Sequence, residues 1–169
     1  MGPGVFSERC TEKLPLRVDF IHRVEFGEVS GHRVLIQRGP GNRGPWAVRS
    51  EGAYCNTKRI YVSEQPLSNG IVLFGTSPYD AELAKKSFDM AYQYFTKALD
   101  IRRSGSAALD LCAIAAGRAE LYFELILSPW DYAAGMLLVQ EAGGVVMTLD
   151  GCMPALNKRS SILARNKKS

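Results

Sequence analysis

Apolar and polar positions become regular only after residue 50. The run IVLFGT (71–76) is continuously apolar and closes on Gly75, as expected of a buried strand. SPYDAELAKKSFDMAYQYFTKAL comes next, with Leu83, Phe88, Ala91, Tyr92 and Phe95 at three-to-four spacing. That period predicts an amphipathic helix of about five turns. Ser77 is placed to cap it, Pro78 suits its first turn, and Asp80 and Glu82 favour the positive end of its dipole. DIRR (100–103) predicts a short strand running into Gly105, SAALDLCAIAAG (106–117) a small-residue helix stopped by Gly117, and AELYFELIL (119–127) another strand. SPWDYAAGMLLVQEAGG (128–144) reads as a second small-residue helix, and VVMTLDG (145–151) and SSILARN (160–166) as two more strands. Strands and helices alternating through short loops predict an α/β layered sheet.

The front of the chain is different. Residues 1–50 hold 7 of the 16 glycines and 4 of the 8 prolines, including RGPGNRGP at 38–45, a density that interrupts helices and strands alike. RVDFIHRVEF (17–26) and HRVLIQ (32–37) alternate well enough for short strands, and EGAYCNTKRIYVS (51–63) suggests two strands joined at Asn56-Thr57. A hydrophobic content of 46% with 22% charged residues fits one globular domain. No run of about 18 apolar residues predicts a membrane span, and the first residues do not read as a secretory signal. The four scattered cysteines, Cys10, Cys55, Cys112 and Cys152, form no CxxC pair, which fits reduced thiols and a cytoplasmic location. A net charge of +4, spread along the chain, gives no basic face interleaved with aromatics, so nucleic acid is not an expected partner. His22 and His32 have no Cys or Ser at a catalytic spacing and read as surface residues.

Three places could carry chemistry, and each has a plainer reading. With Ser128 as N-cap, Asp131 falls at N3, where an acid completes a capping box. The same carboxylate, at the positive end of a rigid helix, could offer oxygen to a hard cation such as Mg²⁺. Glu124 shares one strand face with Tyr122 and Ile126; it is either an edge-strand charge facing water or a buried acceptor for sugar hydroxyls. In RRSGSAALD (102–110), the unpaired N–H groups of Ser106 and Ala107 could meet a phosphate or hydroxyl, or Ser104 or Ser106 could simply cap the helix.

Together, RRSGSAALDLCAIAAGRAELYFE and SPWDYAAGMLLVQEAGG resemble the inositol monophosphatase family of Mg²⁺-dependent, lithium-sensitive phosphomonoesterases. The W-D-x-A-A-G…E-A-G-G stretch is one of that family's two signatures. The resemblance covers roughly residues 47–166. It implies the C-terminal half of a layered α/β/α/β/α sandwich, with a mixed sheet flanked by helices. It also implies that Asp131 is a ligand of a catalytic metal and meets the substrate, that Glu124 binds a substrate hydroxyl, and that the Gly105, Ser106 and Ala107 backbone lines the pocket. In the family, metal ions activate a water for in-line attack on phosphorus. The implied partner is a small phosphate monoester of inositol or a related sugar, and homodimers are common in the family.

The family's upstream signature, Asp-Pro-x-Asp-Gly-Thr/Ser, and an earlier helical Glu are missing. Its two aspartates would fall at Glu12 and Pro15, followed by Leu16 and Arg17. The expectation is a truncated or frame-disturbed member, with residues 1–46 out of family register and 47–169 the α/β region. No catalytic set is complete in it, and little activity is expected of the chain alone. The alternative is a non-catalytic remnant serving as a fold or dimerisation module. Without the N-terminal layers, the apolar faces of helix 78–99 and strand 119–127 are expected to lie exposed.

Overall fold

A computed structural model of the chain describes residues 44–169 and, ahead of them, the backbone of three strands. These are β1 (Leu16–Asp19), β2 (Arg23–Phe26) and β3 (Arg33–Gln37). The segment 17–26, read as one strand, is split between β1 and β2, which pair antiparallel. β3 lies parallel to β1 and antiparallel to β4 (Pro45–Val48). β5 (Gly52–Cys55) and β6 (Lys58–Ile60) complete a first sheet in the order β2-β1-β3-β4-β5-β6. Asn56 turns the chain between β5 and β6 at φ 56, a left-handed conformation that Asn tolerates.

The second sheet contains β7 (Ile71–Phe74), β8 (Asp100–Arg102), β9 (Leu121–Leu127), β10 (Val145–Met147) and β11 (Ser160–Arg165), in the order β10-β11-β9-β7-β8. β7, β8 and β9 run parallel; β11 pairs antiparallel with both β9 and β10. The sheet is therefore mixed, as expected. Helices α2 (Ala107–Ala115) and α3 (Pro129–Glu141) pack on each other between the two sheets, and α1 (Ala81–Phe95) covers the far face of the second sheet. The layers run α, β, α, β.

Strand alternation distributes β9 between two cores. Tyr122 joins the inner core with Leu111, Ile114, Leu138 and Val139, while Leu121 and Phe123 join Val72, Phe74 and Ala91 beneath α1. Strand 119–127 is thus covered on both faces, contrary to the expected exposure, because the inner helices and α1 come from the described chain itself. The carboxylate of Glu141, at the end of α3, accepts from Ser50 N at 2.8 Å and Gly52 N at 2.9 Å. It ties the inner helices to the turn of the first sheet.

Helix α1 departs from its expected start. Asp80, not Ser77, is the N-cap, its side chain accepting from Glu82 N and Leu83 N. Asp80 N in turn donates to Ser77 O at 3.1 Å, so Ser77 and Pro78 belong to a turn ahead of the helix. The helix has 15 residues, about four turns rather than five. Of its predicted stripe, Ala91 is buried, while Phe88, Tyr92 and Phe95 are half or more exposed. His22, His32 and Cys10 lie outside the described residues, as does most of segment 1–46.

Candidate functional site

Because β7, β8 and β9 are parallel, the chain leaves all three at one end of the sheet. Ligands of open α/β sheets commonly bind at such carboxyl ends. The loop 75–77 follows β7, the loop 103–106 follows β8, and Ser128 leads from β9 into α3. Gly75 N donates to Phe123 O at 2.9 Å, and Arg103 Nε donates to Thr76 Oγ1 at 3.1 Å. These bonds join the first two loops to each other and to β9.

Asp131 stands at the third residue of α3, after Pro129 and Trp130. Its Oδ2 accepts from Ser128 N at 3.2 Å. The capping arrangement read from the sequence is present, and it leaves the carboxylate half-buried at the helix's positive end. Burial raises its pKa, against the lowering effects of the Ser128 amide and the Arg159 charge.

Glu124 is not on an edge. β9 is the central strand of five, so the water-facing edge reading fails; the side chain is partly buried. Glu124 Oε2 accepts from Tyr122 Oη at 2.6 Å. Burial pushes its pKa to about 7; the Tyr122 hydroxyl opposes this, and the nearby charges of Asp131 and Asp110 add to it.

The third element, Gly105 to Ala107, opens α2. Gly105 has φ 83, a backbone state that favours glycine. Ser106 is the N-cap but makes no capping bond with its side chain. Instead Ser104 Oγ accepts from Ser106 N at 3.0 Å. The cap is thus supplied from two residues upstream, and it occupies one of the N–H groups considered for a ligand.

Two participants were not singled out in the sequence. Asp110, only 3% exposed, sits in the first turn of α2, where an acid ordinarily faces water and stabilises the dipole. Burial raises its carboxyl to about 6, opposed by a hydrogen bond with Ser104 and the Arg103 charge. Tyr122 is fully buried beside it, and its hydroxyl feels Glu124, Asp110 and Asp131 together. The alternation that placed Tyr122 and Glu124 on one strand face was the available signal.

The result is a partly buried group of three carboxylates, each held above its ordinary pKa by burial, with Arg103 as a nearby cation. Carboxylates in such surroundings suit hydroxyl groups, which donate hydrogen bonds without bringing negative charge. For Mg²⁺ the fit is incomplete. Among the described residues no group of three or more His, Cys, Asp or Glu side chains is placed to hold a metal ion. Mg²⁺ needs a near-octahedral oxygen shell, with carboxylates complemented by water or substrate phosphate. Asp131 alone does not provide it.

Residues 38–169 match the Inositol monophosphatase family. The chain is similar to Nus factor SuhB of Xylella fastidiosa, at 46% identity over 106 residues, covering 62% of this chain and 38% of that protein. It is also similar to Nus factor SuhB of Escherichia coli, at 42% identity over 106 residues and 40% of that protein. Among solved structures, inositol monophosphatase from Anabaena (Nostoc) superposes with a TM-score of 0.67 at 34% identity, covering 73% of this chain and 49% of that one. The extragenic suppressor protein suhB from Bartonella henselae superposes with a TM-score of 0.66 at 34% identity, covering 73% and 47%. The chain thus spans about two fifths of these curated relatives and about half of these solved chains.

Proposed function

The chain belongs to the inositol monophosphatase family, and from that premise we propose that it carries the alcohol-recognising share of a phosphate monoester hydrolase site. In this reading the substrate is a phosphate monoester of inositol or a related polyol. Glu124 accepts a substrate hydroxyl, the Gly105–Ala107 turn borders the ring, and Asp131 contributes one oxygen ligand toward Mg²⁺ and the phosphate. The observation that carries it is Glu124 lying against Gly75, where β7 ends, with Thr76 of the same loop tied to Arg103 just after β8. With the metal shell incomplete among the described residues, the chain alone turns over little or no substrate. The test is phosphate release from an inositol monophosphate with Mg²⁺ present. Clear metal-dependent turnover abolished by Asp131→Asn would refute the predicted inactivity. A cytoplasmic location is part of the same proposal, in keeping with scattered cysteines and with no described helix long and apolar enough to cross a membrane.

The similarity to proteins named Nus factor SuhB favours a second reading, in which the chain is a module of such a factor; we propose, as the alternative, that it serves there as a non-catalytic fold or dimerisation module. Co-sedimentation with a full-length relative tests for a pairing surface. RNA binding with a steep salt dependence would support this reading against the expectation of no nucleic-acid partner.

A further inference from the structure

Tyr122 is 0% exposed, and its ring is fixed in the inner core among close-packed residues. A buried phenol needs a partner for its hydroxyl. Here the partner is the Oε2 of Glu124, at 2.6 Å, at the short end of the range for an O–H···O bond. The donor is rigid and the acceptor is flexible: a glutamate loses much rotamer freedom when it is held. The bond therefore sets where the carboxylate lies and leaves Oε1 as the oxygen not engaged by Tyr122.

Gly75 fixes the same group from the other side. A Cβ at Gly75 would lie 2.0 Å from Glu124 Oε2 and 2.7 Å from Oε1. Any side chain there would displace the carboxylate, so the glycine lets Glu124 lie against the loop that follows β7. Gly75 N also donates to Phe123 O at 2.9 Å, which keeps that loop in register with β9. One residue gives Glu124 a fixed hydrogen bond, and another gives it room in a single place.

We propose that Tyr122 is a positioning residue for polyol recognition, holding Glu124 so that Oε1 accepts a ring hydroxyl of the substrate. This rests on the reading of Glu124 as the hydroxyl acceptor. A purely structural tyrosine would affect stability without affecting discrimination between ligands. Tyr122 acts on the alcohol end of a ligand and leaves its phosphate end unaffected.

The experiment compares wild type, Tyr122→Phe and Glu124→Gln as full chains in magnesium-containing buffer, after circular dichroism has matched their folds. Binding of an inositol monophosphate and of inorganic phosphate is followed by ³¹P NMR. Glu124 rotamer populations are read from side-chain couplings at fixed pH. Tyr122→Phe is expected to leave inorganic phosphate binding unchanged and to weaken inositol monophosphate binding about three- to tenfold. It is also expected to turn one Glu124 rotamer into a mixture. If Glu124→Gln weakens inositol monophosphate selectively while Tyr122→Phe changes neither its affinity nor the rotamers, the positioning role is overturned and the acceptor role stands. If Glu124→Gln has no selective effect, or the wild type binds the two ligands alike, the acceptor reading falls and takes the positioning role with it. Equal weakening of both ligands by Tyr122→Phe marks the tyrosine as structural and also overturns the proposal.

Discussion

Helices α3 and α1 show opposite relations between pattern and burial. α3, with the sequence PWDYAAGMLLVQE, has little amphipathic periodicity, yet nine of its residues from Pro129 to Val139 are buried. α1 has a clear aromatic stripe, yet Phe88 is 57% exposed, Tyr92 68% and Phe95 50%. The difference lies in the layers. α3 has a sheet on each side and α2 beside it, so every face needs small or apolar residues. At Gly135 a Cβ would come within 2.6 Å of the Leu111 Cβ, which shows how close the two inner helices approach. α1 rests on one sheet only, and it does so through Met90, Ala91 and Tyr94 rather than through Tyr92 and Phe95. Phe88 reaches Phe74 edge-on, with centroids 5.8 Å apart. Periodicity reports that a helix has two kinds of face, and only the neighbouring layers determine how much of each is covered.

Core truncation should separate the two helices most strongly. Leu138→Ala in α3, at a fully buried position, should cost about 2–5 kcal/mol in urea unfolding through lost transfer energy and a residual cavity. A cost below about 1 kcal/mol would mean that the inner layer is loosely packed.

Charge sharpens the contrast. α1 carries its charges in exposed pairs, Lys85–Asp89 and Lys86–Glu82, each at 2.6 Å, where solvent screening leaves little effect on stability. The inner layer buries Asp110, and burial lifts its folded pKa to about 6 from the ordinary aspartate value of 3.8. The folded state then holds a proton that the unfolded state has released. The stability contribution is full below about pH 4 and is lost as pH rises through about 6. Asp110→Asn should remove about 2–3 kcal/mol of that decline, read as a smaller loss of stability between pH 4.5 and pH 8. Parallel pH profiles for the two proteins would contradict the burial of Asp110.

A third change tests the link between the layers. Glu141→Ala removes the acceptor for Ser50 N and Gly52 N and should cost about 1–2 kcal/mol. Amide exchange at these two residues should accelerate beyond the global change. The smallest effect is expected on the outer helix. Tyr92→Ser should shift stability by no more than about 0.5 kcal/mol while reducing self-association measured by sedimentation, since it trims an exposed apolar stripe.

Local signals were sufficient for some features. The Ser128–Asp131 arrangement was readable because a capping box lies within four consecutive residues. The Asn56 turn and β7 were equally legible, one from turn chemistry and the other from an unbroken apolar run. The sequence points to a start of α1 three residues too early because Ser77, Pro78 and Asp80 all carry helix-start chemistry. The choice fell to the residue whose carboxylate reaches two amides, Asp80. Glu124 kept two readings open because a strand's own residues do not say whether it is central or at an edge. Asp110 went unmarked because its position in a first turn predicts exposure, and its burial depends on α3 and β9 lying beside it.

The sequence by itself determined the order of elements from β7 to β11, the chain reversals between them and the family to which these residues belong, all of which rest on short stretches of neighbouring residues. Tertiary structure decided that β9 is central, that Tyr122 reaches Glu124, and that the loops after β7 and β8 are tied to each other beside Glu124. Those outcomes depend on which strands pair and which layers cover them. Pairing joins residues far apart in the chain, such as Leu73 and Tyr122, and the pattern within either segment does not specify its partner.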